Sequence, residues 1–183
     1  MDALELLLNR HSQPRLTAPA PDAEALLNIQ KAALKAPDHA ALRPWRYIVC
    51  EGDGLKKLGD LFEQAAIESG MSDRDIDRAP ELPKRAPMVI VAITKYKDHP
   101  KVPQVEQVAS TACAIMAMQM AAMAQGFQGI WRTGAYAFND YVKKGLDLDI
   151  DDEIVGFLYL GTSAVSMGDK PSLNPDDYFE YWR

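Results

Sequence analysis

Cysteine occurs only twice in this chain, at Cys50 and Cys113, far apart and outside any C-x-x-C spacing. That pattern indicates neither a disulfide framework nor a thiolate metal centre, and it fits a reducing compartment such as the cytoplasm. Histidine is scarce too: His11, His39 and His99 are widely spaced and form no H-E-x-x-H pair, so no metal site is expected. Positive charge is in deficit, with a net charge of −6 and a pI near 5.1. Nonspecific binding to nucleic acid or anionic lipid needs a basic field, so the deficit argues against both partners and for a small soluble one. No basic residue precedes Asp2 and Glu5, the reverse of a secretory n-region.

The common catalytic fingerprints are missing too. "GDGLKKLG" has Gly52 and Gly54 but Lys57 where a dinucleotide-binding loop needs its third glycine. No G-x-x-x-x-G-K-[ST] occurs, and Ser163 in "GTSAV" lacks the second glycine of a nucleophile elbow. No side-chain nucleophile, acid or base stands out as catalytic.

What the chain does have is apolar content of 48% over 183 residues, enough for a single domain over 1–183 that buries roughly 70% of its unfolded surface. Asp2 and Glu5 begin a short helix to about Asn9, and Asp22 caps a second that stops before Pro37. "WRYIVCEG" (45–52) alternates as a strand does, and a helix carrying Leu55, Leu58, Leu61, Phe62 and Ala65 follows. Residues 70–86 read as loop or broken helix, and "PMVIVAIT" (87–94) as a strand covered on both faces. "FQGIWRTGAY" gives a short strand, Asn139 caps a short helix, and "IVGFLYLG" (154–161) is another interior strand. An irregular tail with Pro171, Pro175, Tyr178, Phe179, Tyr181 and Trp182 needs a surface to cover its rings. The fold class is α+β or mixed α/β, with three or four strands among five or six helices.

From Gln107 to Trp131 no residue is charged, a run long enough to span a bilayer. Gln107, Ser110, Thr111, Gln119, Gln125 and Gln128 suit lipid poorly, so the expectation is a helix over about 104–125, buried all round inside a protein or dimer and stopped by Gly126. Met116, Met118, Met120 and Met123 then read as adaptable core.

Hydrogen-bond donors collect on the loops and strand ends: Arg10, His11 and Ser12; Lys35 and His39; Trp131, Arg132 and Thr133. Arginine forks and hydroxyls suit a phosphate without any glycine loop. Each also has a plainer reading. Arg10 and Lys35 sit where cations complement helix C-termini, His39 suits a cap or a surface, and Trp45 and Trp131 suit a core. A buried Arg132 has to find an anion or carbonyl partners.

"RHS" at the end of the first helix, "APDH…PW" opening the first strand, and "MAMQMAAMAQGFQGIWRTG" together resemble the FMN-dependent nitroreductase family, most closely its small YdjA-like subgroup, over nearly the whole chain. The resemblance implies an α+β nitroreductase-like fold, with a central mixed or antiparallel sheet flanked by helices in an intertwined homodimer. Each FMN site would draw on both chains. It assigns Arg10, His11, Ser12, Lys35, His39, Trp131, Arg132 and Thr133 to FMN, and Ala121, Ala122, Met123, Ala124, Gln125 and Gly126 to NAD(P)H. The family often places a cation two residues after the serine; Pro14 stands there, leaving Arg15 or Arg132 to face the flavin ring. Arg43 replaces the usual Gln before Pro-Trp. The implied activity is hydride transfer from NAD(P)H through FMN to an electron-poor acceptor, a nitroaromatic or quinone, in a ping-pong cycle. A flavin-binding sensor or carrier without turnover stays open beside it, as does a structural dimer without cofactor.

Overall fold

A computed structural model describes residues 2–163, 165 and 173–183 of the chain; Pro171 of the tail lies outside them. Helix α1 (Ala3–Leu8) begins where the Asp2 carboxylate accepts from the backbone N–H of Leu4 and Glu5. Strand β1 (Leu16–Thr17) follows, then α2 (Ala23–Ala33), capped by Asp22 on Ala25. The chain continues through β2 (Trp45–Glu51), α3 (Asp53–Glu68), α4 (Asp73–Arg78), β3 (Met88–Thr94) and α5 (Gln104–Ala124). It ends in β4 (Gln128–Arg132), α6 (Asp140–Gly145) and β5 (Glu153–Ser163). Segment 70–86 is thus a broken helix, with α4 running into two 3₁₀ turns that each contain a proline.

All strand pairings among the described residues are antiparallel, which resolves the mixed-or-antiparallel expectation. Strand β3 lies between β2 and β5; β5 also carries β4 along Phe157–Gly161 and β1 at its end. Five strands form where three or four were expected, because two-residue β1 is too short to show a period.

Side chains alternate across the sheet and divide the core in two. Val89, Val91, Ile93, Phe157 and Tyr159 pack with Leu58, Phe62 and Ala66 of α3. Met88, Ile90, Ala92, Leu158 and Leu160 pack with Ile29 of α2 and with Ile115, Met118 and Ala122 of α5. Helices therefore cover both faces, which is why all seven residues of β3 are buried although the sheet is antiparallel.

Helix α5 is covered by its own chain along one side. By length and composition it could cross a membrane, yet Thr111, Gln107 and Gln119 are buried and bonded within the chain. Within the single chain Val105, Ala109, Cys113, Met116 and Ala124 are exposed along the other side. Of its methionines, Met118 and Met123 are core, whereas Met116 is exposed and Met120 half-buried.

Candidate functional site

The loop after α1 is held by two buried glutamines. The Gln13 backbone N–H donates to the Gly129 carbonyl of β4 at 3.0 Å, and its side-chain amide donates to Ser163 Oγ at 2.7 Å. The Gln119 amide of α5 reaches the His11 carbonyl at 3.1 Å and the Gly129 carbonyl at 3.0 Å. Gln13 and Gln119 are 0% and 3% exposed, so each bond replaces one that water cannot supply. This clamp fixes the backbone from which Arg10, His11 and Ser12 project, all half-buried. Sequence reading missed both glutamines, since a lone Gln carries no spacing signal; Gln119 was visible only as a polar break in an apolar run.

Lys35 and His39 lie elsewhere. Lys35 is exposed just past α2, and His39 Nδ1 pairs with Glu106 Oε2 at 2.7 Å, near the start of α5. That bond occupies one ring nitrogen and leaves Nε2 for a ligand. The following backbone is under strain: Ala40, Ala41 and Arg43 have φ of 61°, 53° and 51°, a region that costs a side-chain-bearing residue about 1–2 kcal/mol. Asp38 holds the turn by accepting from the Arg43 backbone N–H at 2.7 Å. Ser110 of α5 ties the same loop to β2, donating to the Pro37 carbonyl and accepting from Trp45 Nε1 at 3.0 Å. Trp45 is therefore a half-buried tether, not a core ring.

His39 and the Arg10–Ser12 loop hang on opposite ends of α5, whereas Lys35 follows Leu34, which packs near Met118 farther along the helix. Glu106 and Gln119, their anchors on the helix, are roughly 20 Å apart along its axis at ~1.5 Å per residue. A single chain does not bring His39 to the Arg10–Ser12 loop.

Strand alternation divides the third group. Gly129 and Trp131 face α5, and Ile130 and Arg132 face α3. Trp131 is 37% exposed; its indole lies against Gly156, where any Cβ would stand 2.0 Å from Nε1, and donates to the Val155 carbonyl at 3.1 Å. Val155 is the extra residue of a bulge, and the kink turns that carbonyl toward the ring. The core-ring reading of Trp131 is thereby corrected. Arg132 instead lies over Tyr159 at 5.9 Å, with Nε buried and unbonded, in a cavity of about 440 Å³ beside Arg85, Tyr136 and Phe157. Its guanidinium is on the sheet face opposite to Gly129 and Trp131.

At the end of α5, Ala122 and Met123 are buried, and the Gln125 amide is spent on α2 through Ala25 and Asn28. Of this segment Ala124 and Gly126 are exposed and Ala121 is half-buried; the first two buried side chains have no access to a ligand.

The donor chemistry fits a phosphorylated cofactor. Among the described residues Arg10, Arg15 and Lys35 form no ion pair, so their charges are available. Ser12 adds a hydroxyl beside Arg10 on a backbone fixed by buried bonds.

Comparison with known proteins gives the same direction. The nitroreductase family model matches residues 7–162. A curated relative from Escherichia coli (strain K12), described as "Putative NAD(P)H nitroreductase YdjA", is 50% identical over 177 residues, covering 97% of this chain and 96% of its own. Among solved structures, a nitroreductase-like family protein from Bacillus cereus superposes with a TM-score of 0.85 at 22% identity, over 100% of this chain and 96% of that one. A nitroreductase with bound FMN from Bacteroides fragilis gives 0.76 at 20% identity, with full coverage of both chains. Two buried cores around an antiparallel sheet, a clamped cationic loop and a match over most of the chain converge on one assignment: this chain belongs to the nitroreductase family.

Proposed function

We propose that the chain is an FMN-dependent oxidoreductase acting as a homodimer, with each flavin site completed by the partner copy. The observation that carries this is the separation of the donors along α5. An antiparallel copy laid on the exposed apolar side of that helix brings one chain's Lys35–His39 loop to the other's Arg10–Ser12 loop. The same face is free of charge from Gln107 to Ala124, as a buried helix pair requires.

In this reading Arg10 and Ser12 hold the phosphate, with His11 beside them, and the partner copy supplies Lys35 and His39. Strand β4 pairs only with β5 among the described residues, so its outer edge offers the main chain of Trp131, Arg132 and Thr133 to the flavin. Arg15, exposed on the loop, is the remaining cation for the ring. Exposed Ala124 and Gly126, with Ala121, give the nicotinamide a small-residue surface to approach. Bound FMN would supply the redox chemistry, taking reducing equivalents from NAD(P)H and passing them to an electron-poor acceptor such as a nitroaromatic or quinone. The chain's own part is to bind, orient and set charge around the ring; no side chain has to serve as nucleophile.

The experiment is purification followed by a visible spectrum and anaerobic addition of NADH or NADPH. A yellow protein that bleaches and is recoloured by a quinone, with parallel double-reciprocal lines, is expected. A colourless protein that takes up no FMN contradicts the reading. Bound FMN that NAD(P)H does not bleach favours the sensor or carrier.

A further inference from the structure

The α3 face of the sheet carries a second group of donors that the proposed flavin site leaves unused. Arg132 and Arg85 line one cavity of about 440 Å³, a volume within the range of small-molecule sites. Tyr159, 4% exposed, lines it too: burial pushes its phenol above the ordinary range, and both guanidinium groups are near enough to pull it back. It therefore keeps its proton at neutral pH and offers a donor. The walls are aromatic. Phe62 stacks on Tyr136 at 4.3 Å and meets Phe157 edge to face at 5.2 Å.

Three facts point to a ligand. No acidic residue lines the cavity, and neither arginine forms an ion pair among the described residues. Arg132 Nε is buried without a hydrogen-bond partner, which costs a charged group more than a neutral one. Contact with the Tyr159 ring offsets part of that cost but satisfies no N–H.

We propose that this cavity binds a small aromatic carboxylate. Its carboxylate lies between the two guanidinium groups and the Tyr159 hydroxyl, and its ring lies against Phe62, Tyr136 and Phe157. The two arginines suit the forked recognition of a carboxylate, and the aromatic walls select a flat apolar body over a bare ion. The cavity includes the Trp131–Thr133 end of β4 that the flavin reading also uses through its main chain, whereas its charged groups, Arg85 and the Arg132 guanidinium, lie on the α3 face.

Benzoate is the probe, titrated into the purified protein by calorimetry, with inorganic phosphate as competitor. Saturable binding of one benzoate per chain is expected, weakened at least tenfold by Arg85→Met and by Arg132→Met and unmoved by equimolar phosphate. Arg85 is exposed, so its replacement leaves the fold intact and keeps the test decisive if Arg132→Met misfolds. Absence of saturable binding, or equal binding in Arg85→Met, overturns the proposal. Displacement by phosphate overturns the aromatic class, and displacement by FMN overturns the site's separateness.

Discussion

Single residues carry the two sharpest consequences. Arg10 is half-buried, free of any ion pair among the described residues, and set on a backbone that Gln13 and Gln119 fix; a charge-assisted bond from it to a phosphate contributes about 1.5–3 kcal/mol. Arg10→Ala should therefore weaken FMN affinity about 10- to 100-fold in a fluorescence titration, and an unchanged dissociation constant would remove it from the site. Asp152, 2% exposed, accepts from Lys95 Nζ and from the backbone N–H of Asp149 and Tyr96, joining the ends of β3 and β5. Burial opposes its charge, but those bonds outweigh burial and hold the carboxyl below its usual range. A depressed folded value means stability fully present above the unfolded pKa of about 3.9 and lost as pH falls through the folded value. Asp152→Asn should cost roughly 1–3 kcal/mol at pH 7, read by thermal melts, with the gap to the wild type closing below about pH 4. A gap that is flat in pH would contradict the linkage.

At the level of elements, the sequence showed most of what local patterning can show. Asp22 and Asn139 were legible as caps, Pro37 and Gly126 as stops, and the run 87–94 as a doubly covered strand, because each acts within a few residues. Strand β1 and the bulge at Val155 were not legible, since both exist only through pairing with distant chain. The donor residues could be named from the sequence, but not their faces: one step along β4 puts Arg132 on the opposite side of the sheet from Trp131. Helix α5 shows the same limit. Its apolar composition points to burial inside a protein or dimer without saying which side each covers; the single chain leaves one side open, with Cys113 midway between the Glu106 and Gln119 anchors. In an antiparallel pair with that register the two copies of Cys113 meet near the two-fold axis. A short thiol crosslinker should give a covalent dimer that Cys113→Ser abolishes; Cys50 is buried and will not substitute. Quantitative labelling of Cys113 without crosslinking would contradict this helix pairing.

For the whole molecule, one sheet separates two chemistries. The α5 face and the β4 edge carry the cationic loop and the exposed apolar side of α5; the α3 face carries an aromatic cavity with two arginines. Tail aromatics that stay exposed on the isolated chain, Trp182 at 94%, add to the surface a partner would cover. The most direct measurement uses mixed dimers. Chains carrying Arg10→Ala are combined with chains carrying Lys35→Ala and His39→Ala, and the mixed species is isolated by two tags and titrated with FMN. If each site takes Arg10 from one chain and Lys35 and His39 from the other, each mixed dimer holds one intact site. It should bind one FMN with wild-type affinity while both parent dimers bind weakly. Mixed dimers that bind FMN no better than their parents would show that the donors do not meet across two chains.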